Sequence, residues 1–311
     1  MKTTFVTALC FLFLTTLTSC KSDDGGGSSG TNSDTMANQL GDAMASMDDM
    51  GNTDGSYSQL GREQKTFARL MRTSVKIPAS DYALTHLLPK AEALACSGVA
   101  YSGCTSNVNT RNFSGCTVGR ATITGSVTYN FTDGNVNNVC TINAADGNYV
   151  TRVPNFVLTG PYGGQFSVTK TGSIGQRLTR NSSGVYAFTN DGIERKLTYN
   201  GAILARYTTT TTGNGVIISG STRSGSRTSA ALNNGTSGAL VVTNNLSGNV
   251  CTFTGTLTSA STCNCPTSGT MTASCTGGST ASLALTGCGT GNYSTNGGAA
   301  ESVTLDQCTS L

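Results

Sequence analysis

The 311-residue chain has no Trp, one His and five Pro, and only 11% of its residues are charged. Each scarcity removes a class of chemistry. With His86 alone, a Ser/His/Asp arrangement would have to recruit it from a helical stretch far from most serines, and a histidine metal centre has no second donor. A Gly-x-Ser-x-Gly elbow is missing, because Gly220-Ser221-Thr222-Arg223-Ser224-Gly225 has the wrong spacing. Gly287-Cys288-Gly289-Thr290-Gly291 lacks the third glycine and the following lysine of a phosphate-binding loop. Haem attachment is excluded, since no Cys-x-x-Cys-His occurs. A glycosidase needs two acids roughly 5–10 Å apart. From residue 99 onward the acids are only Asp133, Asp146, Asp191, Glu194, Glu301 and Asp306, three of them in Asp-Gly turns. The chain therefore reads as a non-enzyme without cofactor.

Charge is as uninformative about polyanions. Residues 99–311 hold eleven Arg or Lys and six Asp or Glu. The bases are scattered (Arg120, Arg152, Arg177, Arg180, Arg195, Arg206, Arg223), as on a solvated strand face, and no nucleic-acid motif accompanies them. Nucleic acid is not an expected partner. A calcium loop fails as well. With Gly55 at the sixth position of an EF-hand loop, Met50 and Gly61 would be the first and twelfth ligands.

What is abundant is Gly, at 39 residues, together with Ser, Thr and Asn. From Cys96 onward the apolar period is 2. It runs through Ala121, Ile123, Val127, Tyr129 and Phe131; through Ile193, Leu197 and Tyr199; and through Ile203, Ala205 and Tyr207. Ala281, Leu283 and Leu285, then Val303 and Leu305, continue it. Asp133-Gly134, Asp146-Gly147, Asp191-Gly192, Asn200-Gly201, Asn214-Gly215 and Asn234-Gly235 supply the positive φ angles of tight hairpins. The expected fold is mainly β: an antiparallel meander of about 12 to 15 strands, forming a curled sheet or a two-layer sandwich. The absence of a strict repeat counts against a β-helix or propeller. The run Thr208 to Thr212 reads as a solvent-facing strand.

Helical spacing is confined to the amino-terminal side. Met36, Leu40, Met44 and Met47 form one stripe behind Ser33 and Asp34. Leu60, Phe67, Leu70 and Met71 form another in a stretch from Ser58 to about Val75. Ser80 can cap a third, with Leu84, Leu87, Leu88, Ala91 and Leu94, broken or kinked at Pro89. These predict two or three short helices before the β domain.

The amino terminus carries Lys2 and an apolar run from Phe5 to about Leu17, too short to span roughly 30 Å of hydrocarbon and shaped like a cleaved secretion signal. It ends in Leu17-Thr18-Ser19-Cys20. That sequence resembles the bacterial lipobox: a large apolar residue, two small ones and the obligatory cysteine. The resemblance implies a diacylglyceryl group on the Cys20 thiol, cleavage before Cys20 and acylation of the new amino group, an anchor of two or three chains. Lys21 at the next position differs from the aspartate that resembles an inner-membrane retention signal, which implies the outer membrane. Lys21-Ser22-Asp23-Asp24 resembles the export signals of some surface lipoproteins, so surface exposure is preferred over a periplasm-facing orientation.

An exported chain explains its cysteines. With Cys10 in the leader and Cys20 lipidated, ten remain: Cys96, Cys104, Cys116, Cys140, Cys251, Cys263, Cys265, Cys275, Cys288 and Cys308. An even count in an oxidising compartment predicts up to five disulfides, paired within an amino-side four and a carboxy-side six. A metal reading of Cys263-Asn264-Cys265 lacks a matched second pair. The part from Cys263 onward loosely resembles the cysteine-bearing hairpin ends of uncharacterised bacterial surface lipoproteins, a resemblance that implies no particular activity.

The organisation expected is a signal peptide (1–19), a lipidated flexible tether with a Met-rich helix (20–57), a helical segment (58–98) and a disulfide-stapled β domain (99–311). The function expected is a non-enzymatic binding or structural module, anchored in the outer membrane through Cys20, with an envelope glycan, lipid or protein as partner. The alternatives are a periplasm-facing carrier of lipid or another amphiphile, and a glycan hydrolase.

Overall fold

A computed structural model of the chain describes residues 99–101 and 107–308, apart from 119–120, 133–144, 161–162, 183–184, 221–226, 233–237, 261, 264 and 306–307. Cys20, the amino-terminal helical stripes, His86 and the residue 48–55 turn lie outside them. Among the described residues the sole helix is one 3-10 turn, Thr276–Gly278. No helix there is long and apolar enough to cross a membrane. Everything else regular is strand, and all pairings are antiparallel.

β1 (Val99–Tyr101), β2 (Val108–Val118), β3 (Ala121–Phe131) and β4 (Tyr149–Thr159) pair in chain order. On the far edge of β4 the sheet divides. β5 (Gln165–Lys170) pairs with the second half of β4, and β6 (Gln176–Ser182) pairs with the first half. The chain then alternates between two lanes. In one, β5 is followed by β8 (Ile193–Tyr199), β9 (Ala202–Thr211) and β12 (Leu240–Asn244). In the other, β6 is followed by β7 (Val185–Asn190), β10 (Val216–Gly220) and β11 (Arg227–Leu232). Both lanes rejoin on β13 (Asn249–Ser259), an unbroken strand that mirrors β4. β14 (Pro266–Cys275), β15 (Thr280–Gly287), β16 (Thr290–Thr295) and β17 (Glu301–Thr304) complete the sheet of 17 strands.

Period-2 alternation puts the apolar residues on one face. Ile123 lies opposite Leu158, Val127 opposite Pro154, and Phe131 opposite Val150; all six are buried. The buried row continues through Phe166, Leu197, Val242, Phe253, Met271 and Leu283 to Val303. Phe113 meets Phe156 edge to face at 6.0 Å, a geometry worth about 1 kcal/mol beyond burial. The other face is paved with hydroxyls that bond across strands: Thr110 with Thr128, Thr254 with Thr272, and Ser282 with Ser294 at 2.9 Å.

Gly125 interrupts β3 with φ 111°, and an added Cβ would lie 2.3 Å from the Asn155 carbonyl oxygen. Only glycine admits that approach, and such a kink bends the sheet.

Three disulfides staple the carboxy-terminal strands: Cys251–Cys275, Cys263–Cys288 and Cys265–Cys308. All six cysteines pair within their own group, as expected. Cys263 and Cys265 have both sulfurs committed, which removes the metal reading. Cys116 is disulfide-bonded as well; Cys96, Cys104 and Cys140 lie outside the described residues.

Three local expectations are corrected. Asn200-Gly201 is the tight β8–β9 turn, with φ 49° and 78°. Asp191-Gly192 and Asn214-Gly215 are instead the joints at which β7 passes into β8 and β9 into β10. Ile203 is exposed, because a register shift between Leu197 and Thr198 turns it off the apolar face. The threonine run is not solvent-facing throughout: Thr209 is fully buried.

Candidate functional site

The division of the sheet creates the features not foreseen from the sequence. Where the strands break, side chains replace the missing ladder. Asn190, buried at the end of β7, donates from Nδ2 to Thr209 Oγ1 at 3.1 Å and accepts the Gly192 N–H on Oδ1 at 3.0 Å. Its own N–H donates to Thr211 Oγ1 at 2.9 Å. The next residue serves the opposite side of the joint. Asp191 accepts the N–H groups of Ile174 and Gly175, both at 2.6 Å, and the Ser173 hydroxyl at 3.1 Å. Partial burial would raise its pKa, but these donors outweigh it and hold the carboxyl below its usual value.

On the inner face, Arg152 is 0% exposed and donates from Nη1 to Gln176 Oε1. Arg195, 1% exposed, lies between Val168 and Tyr207. Arg111 stands over the Tyr129 ring at 5.1 Å from its centroid. The expectation of a solvated face for these bases is therefore wrong for Arg152 and Arg195. It is right about Arg206, whose side chain is half-exposed and pairs with Glu194 at 2.8 Å.

On the outer face, an open trough of about 660 Å³ crosses β6, β7 and β10. Register explains it. Tyr149, Thr179, Ala187 and Ile217 stand in one cross-strand row, and the small Ala187 leaves a depression between larger neighbours. Val185, Ala187 and Ile217 supply apolar surface, while Thr179, Asn181, Thr189 and Asn214 supply hydroxyl and amide groups. Ala187 is only 7% exposed although it points outward. Beside Thr179, the Arg177 guanidinium stacks on Tyr149 at 4.1 Å from the ring centroid. No acid, cysteine or histidine lines the trough.

The chain matches no protein-family model, no curated protein and no solved structure.

The acids considered from the sequence are dispersed among structural tasks. Asp146 pairs with Arg180 at 3.0 Å, Glu194 with Arg206, and Asp191 with backbone; Glu301 is exposed, and Asp133 and Asp306 lie outside the described residues. Among the described residues, no group of three His, Cys, Asp or Glu could hold a metal ion. The trough has the volume of a small-ligand pocket. Its lining offers hydroxyl and amide groups over an apolar floor, with the Tyr149 ring and Arg177 at one side.

Proposed function

We propose that this chain is a lipoprotein of the bacterial outer membrane that acts as a non-enzymatic binding module, with the outer-face trough as its site and a neutral envelope glycan as its ligand class. The lipobox-like Leu17-Thr18-Ser19-Cys20 supports the anchor, and residues 20–57 give the β domain a polar tether long enough to stand clear of the lipid. The glycine kink in β3, repeated at Gly255 (φ 149°) and Gly269 (φ 110°), supports a sheet curled over its apolar face. The trough carries the binding reading: it offers hydroxyl and amide partners, an apolar floor and a flanking aromatic ring without a carboxylate. The anchor is tested by palmitate labelling of wild type and Cys20→Ser. Label and membrane association lost together in the variant support it; a membrane-bound, labelled variant refutes it.

An amphiphile carrier is the second reading, supported by the predominantly apolar inner face, which the buried Arg152 and Arg195 interrupt. Mass spectrometry of protein purified from its native envelope tests it, and the absence of any co-purified lipid would count against it.

A further inference from the structure

Residues 228–300 contain no Asp, Glu, Lys, Arg or His, in a chain whose overall charged share is 11%. They supply β12 to β16 and most of β11. At that share the stretch would carry several charges, and exposed surface ordinarily carries more, for solubility. What it presents outward is mainly hydroxyl. Leu257, Met271, Leu283 and Tyr293 are buried on the inner face, so alternation turns Thr256, Thr270 and Asn292 outward, and all three are exposed.

These residues extend the row that forms the trough. Thr179, Ala187 and Ile217 stand side by side in β6, β7 and β10. The same row continues through Ala231, Thr256, Thr270, Ala284 and Asn292, each directly opposite the next. From Thr179 to Asn292 it crosses seven strand spacings, about 34 Å. Paired hydroxyls border it on one side: Thr254 bonds Thr272 at 3.2 Å, and Ser282 bonds Ser294 at 2.9 Å. On the other side Thr258 stands opposite Ser268. The trough thus lies at one end of a longer strip that carries no charge from β12 to β16.

The chemistry of the strip selects its partner. Ions would have to be dehydrated on contact, whereas hydroxyls exchange water for ligand hydrogen bonds nearly evenly. A protein partner would be anchored by aromatic or arginine side chains, but the aromatics of this stretch, Phe253 and Tyr293, are buried on the inner face. An anionic lipid surface would need Lys or Arg, and the stretch has none. Gly255 and Gly269 repeat the kink of Gly125 in β13 and β14, and a chain of linked sugar rings can follow the bend. We propose that the strip binds one linear, neutral polysaccharide, laid across the strands from the trough to β16, with Thr256, Thr270 and Asn292 as hydrogen-bonding residues beyond the trough. The proposal rests on the trough being a glycan site and adds that its ligand is a polymer.

The test is isothermal titration of the full mature protein with neutral linear oligomers of glucose, mannose and N-acetylglucosamine, each from disaccharide to octasaccharide. For the class that binds, affinity should rise about tenfold or more along the series as contacts beyond the trough are added. Thr270→Arg and Asn292→Arg, both at exposed positions, should each remove that gain and leave disaccharide binding unchanged. Thr280→Arg, roughly 13 Å along β15 from Ala284, is the control that should keep the gain. Equal affinity at every length in wild type overturns the polymer, whether or not the variants fold, and leaves the trough reading intact. A gain that survives both variants overturns it in the same way. No binding by any oligomer overturns both.

Discussion

Asp191 and Gly175 hold each other through two reciprocal bonds: the Gly175 N–H donates to Asp191 Oδ1 at 2.6 Å, and the Asp191 N–H donates to the Gly175 carbonyl at 3.0 Å. One residue thereby supplies both halves of a ladder step that the β5–β6 break removes. The joint keeps two short strands aligned on one edge of β4.

Asp191→Ala should lower stability by about 1–2 kcal/mol, the scale for charge-assisted bonds at an exposed position. The pH dependence has a definite sign. The folded pKa lies below the unfolded one, so the stabilisation is present above the unfolded value and fades as pH falls through the folded value, below about pH 4. Chemical denaturation of both proteins at pH 7 and pH 3 checks this. The gap between their midpoints should be smaller at the lower pH.

Gly125→Ala should be among the most damaging single substitutions, at roughly 3 kcal/mol or more. Its Cβ would meet the Asn155 oxygen at 2.3 Å and the Phe156 Cα at 2.7 Å, and both are backbone atoms that cannot swing aside. A glycine in an open turn is the control: nothing lies within 4 Å of a Cβ at Gly201. Thermal melts should show a large loss for Gly125→Ala and a small one, from the positive φ alone, for Gly201→Ala.

Cys263→Ser with Cys288→Ser removes a bridge closing a loop of sequence separation 25. In the chain-entropy account this costs about 3–4 kcal/mol. The Cys265–Cys308 pair, with separation 43, should cost slightly more. Urea midpoints of the two double variants check both the size and the order.

Burial pushes the Tyr293 hydroxyl up to about 12. Its folded pKa therefore exceeds the unfolded value of about 10, so its contribution is intact below pH 10 and is lost as pH rises from there toward 12. Tyr293→Phe should flatten this part of the alkaline stability profile, measured by denaturation between pH 9 and pH 12.

Much of the sheet was legible in the sequence because burial follows a strict period of 2. Ala121, Ile123, Val127, Tyr129 and Phe131 are all buried, as their alternation predicts. The same period places Arg195 between Ile193 and Leu197, on the core side; charge argued for the surface, and position prevailed. Turn chemistry was ambiguous for a physical reason. Asn-Gly and Asp-Gly provide positive φ, and a joint between collinear strands needs it as much as a hairpin does: Gly192 has φ 141° and Gly215 φ 80°. The trough left no mark in the sequence, since it arises from the lateral register of β6, β7 and β10. Ala187 becomes its floor only once Thr179 and Ile217 stand beside it.

Isothermal titration of the mature protein with neutral envelope oligosaccharides, repeated on Ala187→Trp, tests the binding reading most directly. Indole would fill the trough from its floor while leaving the inner core and the strand ladder intact. The expected result is saturable binding by wild type and its loss in a variant with an unchanged melting temperature. No binding by wild type, or undiminished binding by Ala187→Trp, would contradict the account.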